Sequence, residues 1–319
     1  MPTQPAPATF TFVTGHEFGE ATFRAILGLP EYGTKLRCSL LACLDQVKSS
    51  VTVGYTDLGP FATQSGVRVE YIRSIKSEAA QNLLRESAPD YLIIVGWSEL
   101  APSTVLDIPK SKHRGVVRHT ASYGCIGMHQ TLLPEGRGRA PIPWAIIKGL
   151  NRTGVTTFLL EEAADAGGIV DQSRIPIDPT ETATTLFEKA RKAHIELGAR
   201  LGMRMATRTL SWTDQDENLA SIWPRRRPED GRIDFNWTAV EIDRFVRALT
   251  PPYPGAFFLW ANEKICVQKV ETLQFAHTEL PGTILATEPF LVIAVKDAAV
   301  RVEVSERSRV PLVAGTILT

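Results

Sequence analysis

The side chains of this sequence best suited to chemistry are a histidine that ends an apolar run and a carboxylate in a loop of small residues. His129 closes the run Gly124-Cys125-Ile126-Gly127-Met128. It opens an irregular stretch, Gln130-Thr131-Leu132-Leu133-Pro134-Glu135-Gly136-Arg137-Gly138-Arg139-Ala140-Pro141. Asp165 lies in Ala164-Asp165-Ala166-Gly167-Gly168, after a second apolar run over 156–160. In an open α/β sheet, ligands gather beyond the carboxyl ends of the strands. A histidine there can act as a general base, since an unperturbed imidazole titrates near neutrality. A carboxylate within reach would orient the imidazole and stabilise its protonated form. Read singly, His129 is equally a structural histidine and Asp165 a turn residue.

Order and spacing narrow that choice. The pattern H-x-[ST]-L-L-P-x-x-R-G-x-x-P-x-x-W begins at His129 and ends at Trp144. It is followed by Thr153-Gly154-Val155-Thr156, and then by D-x-G-x-I from Asp165 to Ile169. Further on stand Arg226-Arg227-Pro228-Glu229-Asp230-Gly231-Arg232-Ile233-Asp234 and Arg247-Ala248-Leu249-Thr250-Pro251-Pro252-Tyr253-Pro254-Gly255-Ala256. The set, in this order, resembles the formyltransferases that use N10-formyltetrahydrofolate, in their two-domain, methionyl-tRNA formyltransferase-like form. The resemblance implies a Rossmann-like α/β domain with a mainly parallel sheet that binds the folate, followed by a small OB-like β-barrel. It implies N10-formyltetrahydrofolate as co-substrate, no metal, and formyl transfer to an amine.

In that family the catalytic trio is Asn-x-His and the Asp of D-x-G. His129 matches the His as general base, and Asp165 matches the Asp that orients it. The Asn position falls on Gly127, which has no side chain to hydrogen-bond the formyl oxygen as it gains charge. One such donor contributes about 2.7–4 kcal/mol to a transition state. Three readings follow: a substitute donor (Gln130, Thr131, a backbone N–H, or a water in the space beside Gly127), a different acceptor or reaction, or reduced activity. The folate pocket is expected around Trp97, Ser98, Glu99, Leu100 and Ala101, with Leu132, Leu133 and Pro134, and the 161–165 loop including Glu162 and Asp165. The acceptor side is expected at His16, Glu17, Gln130, Thr131, Arg137 and Arg139.

Two-domain relatives formylate initiator methionyl-tRNA or the amino group of a nucleotide-linked sugar, and the tRNA enzymes carry a basic loop after the second strand. Here the corresponding stretch, 45–66, holds Lys48 against Asp45 and Asp57, too little positive charge to grip a phosphate backbone. The segments 136–141 and 164–167 look most like the formyltransferase half of the enzyme that modifies a UDP-linked aminoarabinose. The expected acceptor is therefore a small anionic amine, a nucleotide-linked amino sugar. The alternatives are methionyl-tRNA, hydrolysis of the formyl-folate, and an impaired folate- or nucleotide-binding protein. The segment 110–123, with His113, Arg114, Arg118 and His119, is longer than relatives usually have; it is either a phosphate contact or an exposed loop. Related sugar enzymes imply a homodimer.

These side chains must be held by a scaffold, and the chain is long enough for one. Its 319 residues suggest about two domains. A hydrophobic share of 44% and a charged share of 22% are those of an ordinary globular protein. Thirty-five basic residues balance 35 acidic ones, and from residue 221 to the end 12 stand against 12, which excludes bulk capture of nucleic acid. Strand-like runs at 8–14, 39–44, 67–72, 90–96 and 124–128 alternate with helical stretches, as in an α/β domain. The first turn reads Gly15-His16-Glu17-Phe18-Gly19, not the dinucleotide fingerprint, and no P-loop occurs. Residues 182–208 form a long helical pattern, with Leu186, Ala190, Ala193, Leu197 and Leu201 on one face. The expected organisation is a disordered tail at 1–9, a catalytic domain at 10–208, a connector at 209–230 and an OB-like domain at 231–319. No CxxC pair points to zinc, no apolar run reaches the length of a membrane helix, and no signal peptide is recognised, so the expectation is a cytoplasmic protein.

Overall fold

The computed structural model describes residues 6–113, 117–275, 277–305 and 311–318, the side chain of Val51 apart. The chain forms two compact units: Met1–Pro141 with Thr153–Pro176 and Glu188–Trp223, and Ile142–Arg152 with Ile177–Phe187 and Pro224–Thr319. The second unit thus takes two short segments from the middle of the chain besides its C-terminal block. Of the expected tail, residues 1–5 lie outside the described residues, while Ala8 and Thr9 already belong to the first strand.

The first unit is built on a seven-stranded sheet. Its strands are β1 (Ala8–Thr14), β2 (Leu36–Leu44), β3 (Val69–Ile72), β4 (Tyr91–Ile94), β5 (Gly124–His129), and, past a two-residue β6 (Arg137–Gly138), β7 (Arg152–Leu159) and β8 (Ile169–Pro176). The order is β3-β2-β1-β4-β5-β7-β8. The pairs from β3 through β5 are parallel, and β7 runs antiparallel to β5. Central strands covered on both faces must be apolar throughout. Phe10, Phe12 and Val13 of β1 and all of β4 are buried accordingly. Strand order reverses between β1 and β4, so a crevice opens beyond the carboxyl ends of β1, β4 and β5.

The sheet is flanked by α1 (Glu17–Leu27), α2 (Gly59–Gln64), α3 (Glu78–Glu86), α4 (Ser103–Leu106) and α5 (Ile108–His113). After α6 (Pro141–Ile147) comes the long α7 (Ala183–Thr207). His16 caps α1: its Nδ1 accepts the Phe18 N–H at 3.1 Å, and Glu17 and Glu20 sit favourably in the first turn. In α7, Ala190, Ala193, Leu197 and Leu201 are buried on one face, and His194 is buried among them. A short β9 (Ile222–Trp223), within the expected connector, pairs in parallel with β6. It thereby ties the end of this unit back to the loop after β5.

In the second unit, α8 (Ala239–Ala248) begins at a Thr238–Glu241 capping box. Then come β10 (Ala256–Trp260), β11 (Glu263–Leu273), β12 (Ile284–Ala286), β13 (Leu291–Ala294) and β14 (Ala299–Val304). They form a five-stranded antiparallel sheet in the order β10-β11-β14-β13-β12. Its core joins Ile242, Phe245 and Val246 of α8 to Phe258, Val267, Ile293 and Val302. The OB-like expectation takes the form of a curled half-barrel: among the described residues no pairing closes β12 onto β10. No helix among the described residues is long and apolar enough to cross a membrane.

Candidate active site

The last residue of β5 is His129, so the strand delivers its imidazole to the rim of the sheet. The ring is buried, and its Nε2 lies 2.8 Å from the Gly136 carbonyl oxygen. A carbonyl only accepts, so Nε2 carries a proton, and in the neutral ring the lone pair is on Nδ1. Nδ1 faces Asp165 Oδ2 at 3.8 Å, an electrostatic contact too long for a hydrogen bond. The orienting bond therefore comes from the Gly136 carbonyl and not, as expected, from Asp165, which stands beside the free nitrogen. The structure does bring together the two residues that sequence analysis paired.

Asp165 has φ +55°, a left-handed conformation unusual for a side-chain-bearing residue. Three bonds hold its loop. The Gly138 N–H donates to Asp165 Oδ2 at 2.8 Å. Gln215 Nε2 donates to the carbonyls of Asp165 and Gly167 at 2.8 and 2.7 Å. The carbonyl oxygen of the same amide accepts from Arg137 Nε and Nη2, and Arg137 also makes a bidentate pair with Glu217. This explains the Arg-Gly pair of the motif physically. Arg137 is buried and sealed among protein partners, so it braces the loop and is not an acceptor ligand. Gly138 has φ +110°, and a Cβ there would stand 2.4 Å from the Trp223 carbonyl oxygen.

A cavity of about 370 Å³ opens at His129 and Asp165. Its walls come from the loop after β4 (Gly96, Trp97, Ser98, Leu100), from Gly127 and Gln130, from Arg139, and from Leu160 and Glu161. Trp97 Nε1 donates to Glu99 Oε2 at 3.1 Å, and the same oxygen accepts the Ile75 N–H at 3.0 Å. Burial pushes the Glu99 carboxyl up, but its bonds from Ser74, Trp97 and Ile75 outweigh that and leave it low. Arg139 Nη2 donates to the Ser98 carbonyl at 2.5 Å. No ion pair engages Arg139 among the described residues, so its charge is available to a ligand.

Several expected site residues lie elsewhere. Leu133 is core and Leu132 partly buried, both outside the cavity lining: the Leu133 N–H donates to Thr156 Oγ1, Gln172 donates to the Leu133 carbonyl, and Leu132 packs on Gly154. The loop after β5 folds back on β7, which removes Pro134 too from the cavity lining. Thr131 is buried, and its Oγ1 has no hydrogen-bond partner. Glu162 is exposed and pairs with Arg118 at 3.5 Å; its neighbour Glu161 lines the cavity instead. His16 caps α1 and packs between Gly54 and Gly96, and burial pulls its pKa down to about 4. Glu17 lines a separate cleft with Glu188 and Arg191.

Four features had not been singled out as site residues or had been read differently. Gln215 carried no sequence signal inside a polar stretch. The Gly136 carbonyl is backbone and has none. His194 was visible only as a histidine on the apolar face of α7. It is fully buried, and burial, with His16 and His129 nearby, pulls its pKa down to about 3. Finally, Arg118 and His119 grip Glu161, at 2.8 and 3.0 Å, so this part of the 110–123 segment buttresses the cavity loop and is neither a phosphate contact nor a free loop. Arg114 lies outside the described residues. Among the described residues no group of His, Cys, Asp and Glu is arranged to hold a metal.

Two sequence-family models match: Formyl transferase over residues 63–199, and Formyl transferase, C-terminal domain over residues 226–312. Among solved structures, this chain is similar to WlaRD, a sugar 3N-formyl transferase determined in the presence of dTDP and 5-N-formyl-THF. That match has 13% identity and a TM-score of 0.66, over 95% of this chain and 100% of the other. It is similar also to the N-formyltransferase from Helicobacter canadensis in complex with folinic acid and dTDP-3-aminofucose (14% identity, TM-score 0.62, 93% and 99% of the two chains). A third similarity is to HypX from Aquifex aeolicus in complex with tetrahydrofolic acid (18% identity, TM-score 0.55), over 92% of this chain but 43% of HypX. Likeness at these identities establishes the fold.

Proposed function

Because the chain belongs to the formyl transferase family, we propose that this enzyme moves a formyl group from N10-formyltetrahydrofolate to the amine of a nucleotide-linked amino sugar. The observation that carries the reading is His129 at the mouth of the cavity, its Nε2 on the Gly136 carbonyl and its Nδ1 turned toward Asp165. The cavity suits a flat heteroaromatic ring: Ile94, Trp97, Leu100 and Leu160 offer apolar walls, and Gly96 and Ser98 offer backbone. When bound there, the folate supplies an activated formyl carbon.

The chain's own residues then handle one proton. His129 Nδ1 takes it from the attacking amine, and the Gly136 carbonyl keeps the ring in the tautomer that leaves Nδ1 free. The Asp165 carboxylate, 3.8 Å away, stabilises the imidazolium so formed. His129 Nδ1 can return the proton to the departing nitrogen. Arg139 favours an anionic acceptor. The charge pattern supports a small one: the 45–66 stretch holds one lysine, and Arg73 beyond it is paired with Asp45. The fold likeness to two enzymes solved with dTDP or a dTDP-linked amino sugar points the same way.

The test is release of tetrahydrofolate from the formyl-folate with dTDP- and UDP-linked amino sugars, read together with the formylated product. Amine-dependent release that His129→Ala abolishes supports the reading. Release independent of amine indicates hydrolysis, and full turnover by His129→Ala overturns the role of the histidine.

A further inference from the structure

We propose that Gln130 is the catalytic hydrogen-bond donor that replaces the family asparagine, its side-chain Nε2 aimed at the formyl oxygen as that atom gains negative charge. The inference rests on formyl transfer as proposed above. Transfer forms a bond from the amine lone pair to the formyl carbon while the C=O π pair moves onto oxygen. Collapse returns that pair, breaks the C–N10 bond toward nitrogen, and the proton lost by the amine ends there through His129. A donor is needed only while the charge sits on oxygen.

The other substitutes are excluded by their surroundings. A Cβ at Gly127 would stand 2.7 Å from Leu160 Cδ2 and 3.2 Å from Phe158 Cε1. The space beside Gly127 is therefore filled by apolar carbon, and a water there would lack the polar partners it needs. Thr131 is buried outside the cavity lining. The Gly138 N–H is already taken by Asp165. Gln130 lines the cavity beside His129 and Gly127.

Proton accounting fixes how the Gln130 amide points. Thr22 Oγ1 has one hydrogen, and the Phe18 carbonyl at 2.9 Å is a better acceptor for it than Met128 Sδ at 3.5 Å. With that hydrogen on Phe18, His194 Nδ1, 3.1 Å from the hydroxyl, is the donor to it. His194 stacks on Phe18 with ring centroids 4.7 Å apart, fully buried and neutral. Its Nε2 is therefore bare and accepts from Gln130 Nε2 at 3.1 Å. One of the two amide hydrogens of Gln130 is thus anchored. The other has no protein acceptor among the described residues, and the bond to His194 restrains the amide that carries it. A donor held in place before the reaction is what stabilises an oxyanion.

The test compares Gln130→Met, similar in shape but without a donor, with the wild-type full chain. The expected result is a fall in kcat of about 100- to 1,000-fold, with the Kd for 5-formyltetrahydrofolate within threefold; the unpaired His194 Nε2 lowers the melting temperature, so both constants are read well below it. A kcat within threefold of wild type overturns the proposal. His194→Phe should lower kcat and add no further loss on top of Gln130→Met; additive losses would show that His194 does not act through Gln130. If the wild type formylates no amino sugar but releases tetrahydrofolate in water, the acceptor reading fails, and the same comparison on that release still decides Gln130. A wild type that binds the folate and turns nothing over sinks both.

Discussion

Replacing Gln215 by alanine tests whether the loop bearing Asp165 is held from outside its own motif. The substitution removes the two hydrogen bonds to the carbonyls of Asp165 and Gly167, and the acceptor shared by Arg137 Nε and Nη2. At a net value of about 1 kcal/mol for each neutral bond, the two carbonyl contacts contribute about 2 kcal/mol. A non-glycine residue at φ +55° costs about 1–2 kcal/mol. The remaining constraints on that conformation are the Gly138 N–H bond to the Asp165 carboxylate, the long Ala166 N–H bond to the Ala163 carbonyl and the Leu159 N–H bond to the Gly168 carbonyl. Gln215 thus supplies about as much as the strain consumes, and without it the loop should leave the active conformation for most of the time. A shift of about 2 kcal/mol is about a 30-fold change in population, so kcat should fall by about 10- to 30-fold. The same loss should lower the melting temperature by about 4–8 °C for a unit of this size. Steady-state release of tetrahydrofolate and a thermal melt measure both. The reasoning is refuted if Gln215→Ala keeps kcat within twofold of wild type. It is refuted equally if Gln215→Ala reduces an Asp165→Ala background as strongly as it reduces the wild type, because a residue acting through Asp165 has nothing left to position there.

Gly127→Asn, which restores the family residue, should lower turnover, because its Cβ meets Leu160 and Phe158; Gly127→Asn with Leu160→Ala should recover part of the loss, and a gain from the single substitution would show an empty donor site. Asp90 is a buried carboxylate paired with Lys112, His113 and Arg208 and bonded by the Thr9 N–H. Burial pushes its pKa up, but these partners outweigh it and hold it low. Asp90→Ala should cost about 3 kcal/mol in chemical denaturation, toward the low end for a broken buried pair because its cations are partly exposed. His16 and His194 have folded pKa values of about 4 and about 3, below the unfolded 6.5. The unfolded chain therefore binds more protons under mild acid. The stability contributed by the neutral rings is complete above about pH 6.5 and is lost as pH falls toward those values, at no more than about 1.4 kcal/mol per pH unit for each histidine. Denaturation at pH 7.5, 6 and 5 should show that slope, and His194→Gln should reduce it by about half; an unchanged slope would mean that His194 is not the titrating group.

The α/β character was legible because strands covered on both faces must be written as apolar runs, and β1, β4 and β5 are. The long α7 was legible from its apolar face, and the curled sheet of the second unit from its short strands. His129 and Asp165 were legible because each lies in a local pattern, the first at the end of β5 and the second in the small-residue loop between β7 and β8. Leu132 and Leu133 were misread because an apolar pair on a loop looks alike whether it lines a cavity or packs on β7. His16 and Glu17 follow β1, as an acceptor site would, but serve as a helix cap and as part of another cleft.

The sequence by itself determined the family, the alternation of strands and helices, which histidine ends a strand and which aspartate lies in a small-residue loop, because each of these is written within short stretches of chain. Only the tertiary structure decided what those residues touch. Gly136, seven positions from His129, sets the tautomer of the ring. Gln215, 50 positions from Asp165, holds its loop, and His194, 64 positions from Gln130, anchors the amide. Arg137, which the motif offered as a ligand for an anion, is spent on Gln215 and Glu217. A hydrogen bond depends on distance and direction in space, and residues so far apart in the chain acquire both only when the sheet and its loops close around them.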